Sequence, residues 1–136
     1  MGRPTPATGK RTLLTLLLVH AAASLIHFSH NAEFLSDYPN MPAWLSPAGV
    51  YAAWLVEAAV GITGLVLFLR GHAAGLFIIA AYGVLGLAGL DHYTLAPLTA
   101  HTFTMNLTIW LETLTAAALL MMVGILLMTR HGNRIA

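Results

Sequence analysis

Four long runs of apolar residues limit this chain to one kind of fold. They cover about residues 12–30, 47–69, 72–90 and 103–129, with polar residues between them. A helix needs about 20 mostly apolar residues to cross the hydrocarbon core of a bilayer, and each run has about that length. Charged residues make up only 8% of the chain, against about 25% in a typical soluble domain. The sequence therefore predicts an integral membrane protein in contact with the lipid bilayer.

The polar segments between the runs predict how the helices connect. Ser46 followed by Pro47 is typical of a helix start, because serine caps the free amide groups and proline fits the first helical position. Arg70 and Gly71 leave room only for a tight turn, so the second and third helices must be antiparallel neighbours. The predicted fold class is all-α, an antiparallel four-helix bundle.

The domain boundaries follow from the same runs. We predict a disordered lead, a transmembrane domain and a short tail, at residues 1–11, 12–130 and 131–136. Cleavage of residues 1–23 as a signal peptide stays open, because the first run resembles one but continues to spanning length. A tryptophan lies shortly before a glutamate in both the second and fourth runs, at Trp54 and Glu57 and at Trp110 and Glu112. This similarity raises the alternative of two repeated helical hairpins.

The cations predict the orientation of the bundle. All six flank the same ends of the four runs: Arg3, Lys10, Arg11, Arg70, Arg130 and Arg134. Because Lys and Arg accumulate on the cytoplasmic side, both termini are predicted to be cytoplasmic, and the expected location is a bacterial inner membrane. Tyr38, Trp44, Tyr51 and Tyr93 are expected in an aromatic belt at the outer interface.

Two classes of function are disfavoured by composition. The chain has no cysteine, which excludes disulfides, thiolate catalysis and cysteine-ligated metals. It has a formal net charge of only +1 and no basic stripe, so nucleic acid is not an expected partner.

The stretch from His27 to Phe34 carries the most informative polar residues. His27 and His30 lie at the end of the first run, and His20 lies on the same helical face, since residues seven apart differ by only about 20°. Ionisable groups inside a membrane are costly and usually face the protein interior. We therefore predict a polar cavity in the outer half of the bundle, lined by His27, His30, Glu57, His92 and Glu112. Second-choice residues for this cavity are His20, Glu33, Asp91, His101 and Asn106.

A metal or haem site is the first interpretation of this cavity. Histidine and carboxylate ligands from several helices resemble carboxylate-bridged metal sites in four-helix bundles. The predicted metal ligands are His27, His30, Glu57, His92 and Glu112, and the predicted cofactor is a transition metal or a haem held by two histidines.

A lipophilic small-molecule pocket is the second interpretation. Tyr38-Pro39, Pro42-Ala43-Trp44, Glu57, Arg70-Gly71 and the pair Asn106 and Trp110 resemble, in layout, the EXPERA superfamily of small helical membrane proteins. The resemblance implies a pocket for sterol-like or cationic amphiphilic ligands, with Glu57 as its acid and with Asn106 and Trp110 as cofactor- or ligand-binding residues.

Catalysis in the cavity is predicted to depend on Glu57, His92 and Glu112. A carboxylic acid and an imidazole would then move a proton on a buried hydrocarbon. Oxidoreductase and isomerase chemistry both stay open. A third interpretation is a structural or assembly subunit, in a homo-oligomer or a larger membrane complex, whose polar groups hold the helices together.

Overall fold

A computed structural model describes residues 6–135, with side chains over 8–130. It has five α-helices: α1 (Pro6–Glu33), α2 (Pro47–Leu69), α3 (Ala74–Leu85), α4 (His92–Leu95) and α5 (Phe103–Ile135). Short 3₁₀ segments occur at Leu35–Asp37, Ala88–Asp91 and Leu98–Ala100. Four segments are long and apolar enough to cross a membrane: Thr8–Glu33, Pro47–Leu69, Ala74–Leu95 and Phe103–Arg130. The predicted all-α fold class is confirmed, and the protein is a multi-pass membrane protein.

The four spans form an antiparallel bundle. The span α1 packs most extensively against α5, and α2 against α3, while α1 with α2 and α3 with α5 make smaller contacts. The α2 start is capped as its sequence predicts, because the Ser46 side chain accepts a hydrogen bond from the Gly49 amide at 3.2 Å. Gly71, at φ +83°, makes the tight turn after α2, a backbone conformation that glycine adopts without strain.

Some boundaries differ from the sequence-based expectation. Helix α1 begins at Pro6, so residues 6–11 are helical rather than disordered, and residues 1–5 lie outside the described part. The backbone of α5 continues to Ile135, through most of the expected tail. The third span extends past residue 90 to Leu95. It ends there because Pro97 pushes Ala96 into an extended conformation, at φ −154° and ψ 151°.

The third span is not a continuous α-helix. Regular α-structure stops at Leu85, the chain passes through the 3₁₀ segment Ala88–Asp91, and one α-helical turn then follows as α4. Broken helices inside membranes occur where the backbone is buried in protein or lines a cavity. In this protein the break lies where Gly86 and Gly89 approach side chains of α1 and α5.

The bundle has an apolar half and a polar half. Near the chain termini, buried apolar side chains of α1, α3 and α5 form a cluster that we call the apolar cluster: Leu13, Leu17, Leu76, Ile79, Tyr82, Leu119, Met122 and Val123. The opposite end, formed by residues 34–46 and 96–102, is called the loop end here. Between the apolar cluster and the loop end the interior is mostly polar.

Candidate functional site

Buried polar side chains extend as a series from the loop end into the bundle. We call this series the polar column: Tyr38, His30, Asn31, His92, His27, Glu112, Ser24, Glu57 and His20. Apart from the half-buried His30, each of these side chains is less than 9% exposed. With a rise of 1.5 Å per residue, Glu112 lies about 14 Å along α5 from Phe103 and His20 about 20 Å along α1 from Glu33. The polar column therefore extends well into the hydrocarbon core, which is about 30 Å thick.

His27 and Glu112 form the centre of the polar column. His27 Nε2 is 3.6 Å from Glu112 Oε2, and the side chains are 3% and 1% exposed. This separation exceeds the 2.7–2.9 Å of a charge-assisted hydrogen bond. The other carboxylate oxygen of Glu112 has no hydrogen-bond partner within the described chain. Gly89 leaves space beside the pair, because a Cβ there would lie 3.2 Å from Glu112 Oε2.

Glu57 lies next to this pair. The Ser24 hydroxyl is 3.5 Å from Glu57 Oε1, and Ser24 also interacts with Glu112. The carboxylates of Glu57 and Glu112 are close enough to repel each other when both are charged. The helices α1, α2 and α5 thus bring one imidazole and two carboxyl groups together.

On its loop-end side, the polar column consists mostly of imidazole and phenol side chains. The His27 and His92 rings make an edge contact with centroids 5.4 Å apart, and Asn31 Nδ2 is 3.1 Å from His92 Nε2. The Tyr38 ring lies against His92 at 4.9 Å, and its hydroxyl is 2.9 Å from His30 Nδ1. Burial raises the pKa of Tyr38 to about 12, so near neutral pH it keeps a hydroxyl proton to donate to His30.

The inner end of the polar column is His20. Its Nδ1 is 3.1 Å from Thr115 Oγ1 on α5, and its ring packs on Tyr82 at 4.8 Å. Its Nε2 is buried and has no hydrogen-bond partner among the residues described. Tyr82 belongs to the apolar cluster, so the polar column ends where the apolar cluster begins.

A pocket of about 590 Å³ opens at the loop end above the polar column. Its wall includes Glu33, Tyr38, Asn40 and Met41. Tyr38 also contacts His30 and His92, so it joins the wall of this pocket to two histidines of the polar column.

The predicted metal ligands share the polar column but not one coordination sphere. Within the described residues, no three histidine or carboxylate groups are placed to hold an ion together. His30 bonds to Tyr38 and Glu57 to Ser24, so only His27 and Glu112 face each other at short distance. Among the predicted catalytic residues, Glu112 and Glu57 are neighbours, and His92 reaches them through His27.

The remaining predicted residues have other partners. Asn106 bonds to Tyr93 and to two carbonyl groups of the 91–102 connection, and Trp110 is 40% exposed and packs near Tyr93. Glu33 accepts a hydrogen bond from the Tyr51 hydroxyl at 2.8 Å. Asp91 is exposed, and His101 is buried with Nδ1 3.1 Å from the Pro97 carbonyl oxygen.

Five residues of the site were not among those predicted to line the cavity: Ser24, Asn31, Tyr38, Thr108 and Thr115. Tyr38 is only 3% exposed, so its expected place in an interfacial belt is wrong. Ser24, Thr108 and Thr115 supply hydroxyl groups to the site. The sequence spacing could have indicated the two threonines. Thr108 and Thr115 are seven residues apart, and so are His20 and His27, the histidines that they contact.

Comparison of the chain with protein-family models, curated proteins and solved structures finds no match in any of the three.

Proposed function

We propose that this protein binds and transfers protons inside the membrane, at an acid–base site formed by His27, Glu112 and Glu57. The observation that carries the proposal is the polar column itself, a series of buried polar and mostly titratable side chains from the loop end to His20. Chains of Asp, Glu and His inside membranes are typical of proton relays. The function of the protein would then depend on reversible protonation of the buried pair.

The geometry supports a site that changes with its proton content. In the part of the chain with described side chains, His27 is the one group that could pair with a charged Glu112, and an unpaired buried carboxylate costs several kcal/mol. At 3.6 Å the pair is too far apart for a strong hydrogen bond. Moving a proton from the carboxylic acid to Nε2 would create an ion pair and draw the groups together, and the reverse transfer would release them.

Proton access is proposed to come from the loop end. Tyr38, at the wall of the loop-end pocket, contacts His30 and His92, and His92 contacts His27. At the other end of the bundle, among the residues whose side chains are described, no polar side chain is buried before His20 on α1 or after Thr113 on α5. Water in the loop-end pocket is therefore the proposed proton source for His27 and Glu112.

The positions of the charged residues support an orientation in which the loop end faces the outer side of the membrane. The described cations are exposed and lie away from the loop end: Lys10, Arg11, Arg70 and Arg130. The described carboxylates at or near the loop end are exposed as well: Glu33, Asp37 and Asp91. We place the loop end on the outer side and both termini in the cytoplasm, because cytoplasmic segments are rich in Lys and Arg.

Infrared spectroscopy of the protein in lipid vesicles tests the proposal directly. A protonated carboxylic acid has a carbonyl stretch that an ionised one lacks. We expect a pH-dependent carboxylic acid band that Glu112→Gln removes or reduces and Glu57→Gln shifts. The matched control is Glu33→Gln, since Glu33 is exposed and bonded to Tyr51, and it should leave that band unchanged.

Two outcomes would overturn the proposal. One is the absence of any pH-dependent acid band between the lowest and highest pH at which the protein stays folded. The other is a band whose intensity and position are unchanged in both Glu112→Gln and Glu57→Gln. Since either variant could lose its fold, circular dichroism of each one accompanies the measurement, and His27→Asn serves as a further variant that must shift the pH midpoint of the band.

Transition-metal binding is the second candidate, and one distance favours it. Two ligand atoms at 2.0–2.1 Å from a tetrahedral metal are about 3.4 Å apart, close to the 3.6 Å between His27 Nε2 and Glu112 Oε2. It ranks second because the described residues bring no third ligand to this pair. Stoichiometric zinc, copper or iron in the purified protein, lost on His27→Asn, would favour a metal over the proton site.

A further inference from the structure

We infer that Thr108 and Thr115 are positioning residues that fix the tautomers of His27 and His20, and that His20 is a second, deeper proton-binding site. Each threonine on α5 contacts the histidine opposite it on α1. Thr115 Oγ1 is 3.1 Å from His20 Nδ1, and Thr108 Oγ1 is 3.3 Å from His27 Nδ1. The inference rests on the proposed function, because it specifies which atoms accept the proton.

The repeat of the contact reflects helix geometry. Residues seven apart on an α-helix lie on the same face, two turns and about 10.5 Å apart. His20 and His27 are seven residues apart on α1, and Thr115 and Thr108 are seven residues apart on the antiparallel α5, so each histidine lies opposite one threonine. The two contacts are therefore copies of one arrangement at two depths in the membrane.

The Thr115 hydroxyl has one hydrogen, and backbone carbonyl groups compete for it. The Thr115 Oγ1 atom is 2.9 Å from the Leu111 carbonyl oxygen and 2.8 Å from that of Glu112. A carbonyl oxygen can only accept, so the hydroxyl donates there and offers its lone pairs to His20. A neutral imidazole carries its single N–H on one nitrogen. The bonded Nδ1 must be that nitrogen, since a proton on Nε2 would be a buried donor without a partner in the described chain.

The same reasoning applies to His27. The Thr108 hydroxyl donates to the Met105 carbonyl oxygen at 3.0 Å, which leaves its oxygen to accept from Nδ1 of His27. The His27 Nε2 lone pair then faces Glu112 Oε2. In this tautomer a proton leaving the carboxylic acid of Glu112 has an acceptor in front of it, and the products are a carboxylate and an imidazolium.

His20 differs from His27 in that, among the described residues, no carboxylate faces its Nε2. Gly86 provides the space for that atom, since a Cβ there would lie 2.6 Å from it. The titratable groups that lie against His27 are His30, His92 and Glu112. The one that lies against His20 among the described residues is Tyr82 on α3.

Nitrogen-15 NMR of histidine-labelled, full-length protein in lipid bilayers tests the inference. The spectrum distinguishes an imidazole protonated on Nδ1 from one protonated on Nε2 and from an imidazolium. His101 is an internal reference, because its Nδ1 faces the Pro97 carbonyl oxygen at 3.1 Å and must carry the proton when the ring is neutral. We expect His20 and His27 to match His101 at the pH where all are neutral, and His20 to become an imidazolium reversibly on acidification.

The threonine variants separate positioning from simple packing. Thr115→Val should shift His20 towards the other tautomer and leave His27 unchanged, and Thr108→Val should do the reverse. Thr115→Ser keeps the hydroxyl and should restore the original His20 signal. His20→Asn identifies which signal belongs to His20.

Three results would overturn the inference: an Nε2-protonated His20 in the unmodified protein, a His20 signal unaffected by Thr115→Val, or a His20 that stays neutral until the protein unfolds. These results are independent of the carboxylic acid band that tests the proposed function. Failure of one is therefore distinguishable from failure of the other.

Discussion

Replacing Gly86 by alanine tests how closely the third span packs against His20. A Cβ at this position would lie 2.3 Å from Cε1 and 2.6 Å from Nε2 of His20, far inside the contact distance of about 3.5 Å between non-bonded atoms. The imidazole is restrained on its other side by Thr115 at 3.1 Å and by the Tyr82 ring at 4.8 Å. We therefore expect Gly86→Ala to lower the free energy of unfolding by about 1–3 kcal/mol, the usual cost of overpacking an interior.

Gly124 provides the matched control, because a Cβ added there would have no neighbour within 4 Å. Alanine in a helix is favoured over glycine by roughly 0.8–1 kcal/mol, so Gly124→Ala should be neutral or stabilising. Both variants would be unfolded by denaturant in the same detergent micelles and followed by circular dichroism. The difference between the two free energies compares an added methyl group at a crowded position with one at an open position.

A double-mutant cycle then assigns the cost to one contact. In a His20→Ala background the imidazole is gone, and Gly86→Ala should lose most of its penalty. The coupling energy should fall within the 0.5–3 kcal/mol seen for residues in contact. Equal stabilities of Gly86→Ala and Gly124→Ala, or strictly additive effects in the cycle, would refute the packing of His20 against the third span.

Three further predictions concern other parts of the molecule. Gly75→Ala should destabilise the α2–α3 hairpin more than Gly86→Ala does, because its Cβ would meet the Phe68 backbone at 2.3 Å; unfolding in micelles measures this, and a neutral effect contradicts it. Burial raises the pKa of Tyr38 from 10.0 to about 12, so its contribution to stability is complete below pH 10 and decreases as the pH rises towards 12. Tyr38→Phe should make the free energy of unfolding less dependent on pH between 10 and 12. It should also lower that free energy by about 0.5–1.5 kcal/mol at neutral pH through the lost hydrogen bond. An unchanged dependence of unfolding on pH would contradict this prediction. A reporter fused after Ala136 should be active in the cytoplasm, and activity on the outer side would reverse the orientation.

The elements that local sequence determines were predictable. A run of apolar residues of spanning length is sufficient to identify a membrane helix, and all four runs correspond to spans of the structure. The start of α2 was also predictable, because a serine cap and the following proline act within one turn. The break in the third span was not, since glycines at 83, 86 and 89 are equally compatible with a continuous helix face.

Tyr38 shows why the loop-end part of the site was harder to predict. An aromatic residue beside a membrane span is commonly interfacial, and nothing adjacent to it in the sequence indicates burial. Its position depends on the path of the loop, where Asn40 adopts φ +58° and its side-chain amide donates to the Leu95 carbonyl oxygen at 2.8 Å. That contact joins residues 55 positions apart in the chain, so only the folded bundle defines it.

The end of the polar column at the apolar cluster limits the routes by which the proposed proton site could exchange protons. On the side of His20 away from the loop end, the interior positions on α1, α3 and α5 include Leu17, Ile79 and Leu119, each no more than 5% exposed. Such side chains offer no group that can accept a proton, and a charge among them would pay the full cost of desolvation. If Glu112 binds a proton as proposed, that proton should exchange with the loop end. In vesicles of uniform orientation, the carboxylic acid band should respond to the pH on the side that faces the loop end and not to the pH on the side of the termini.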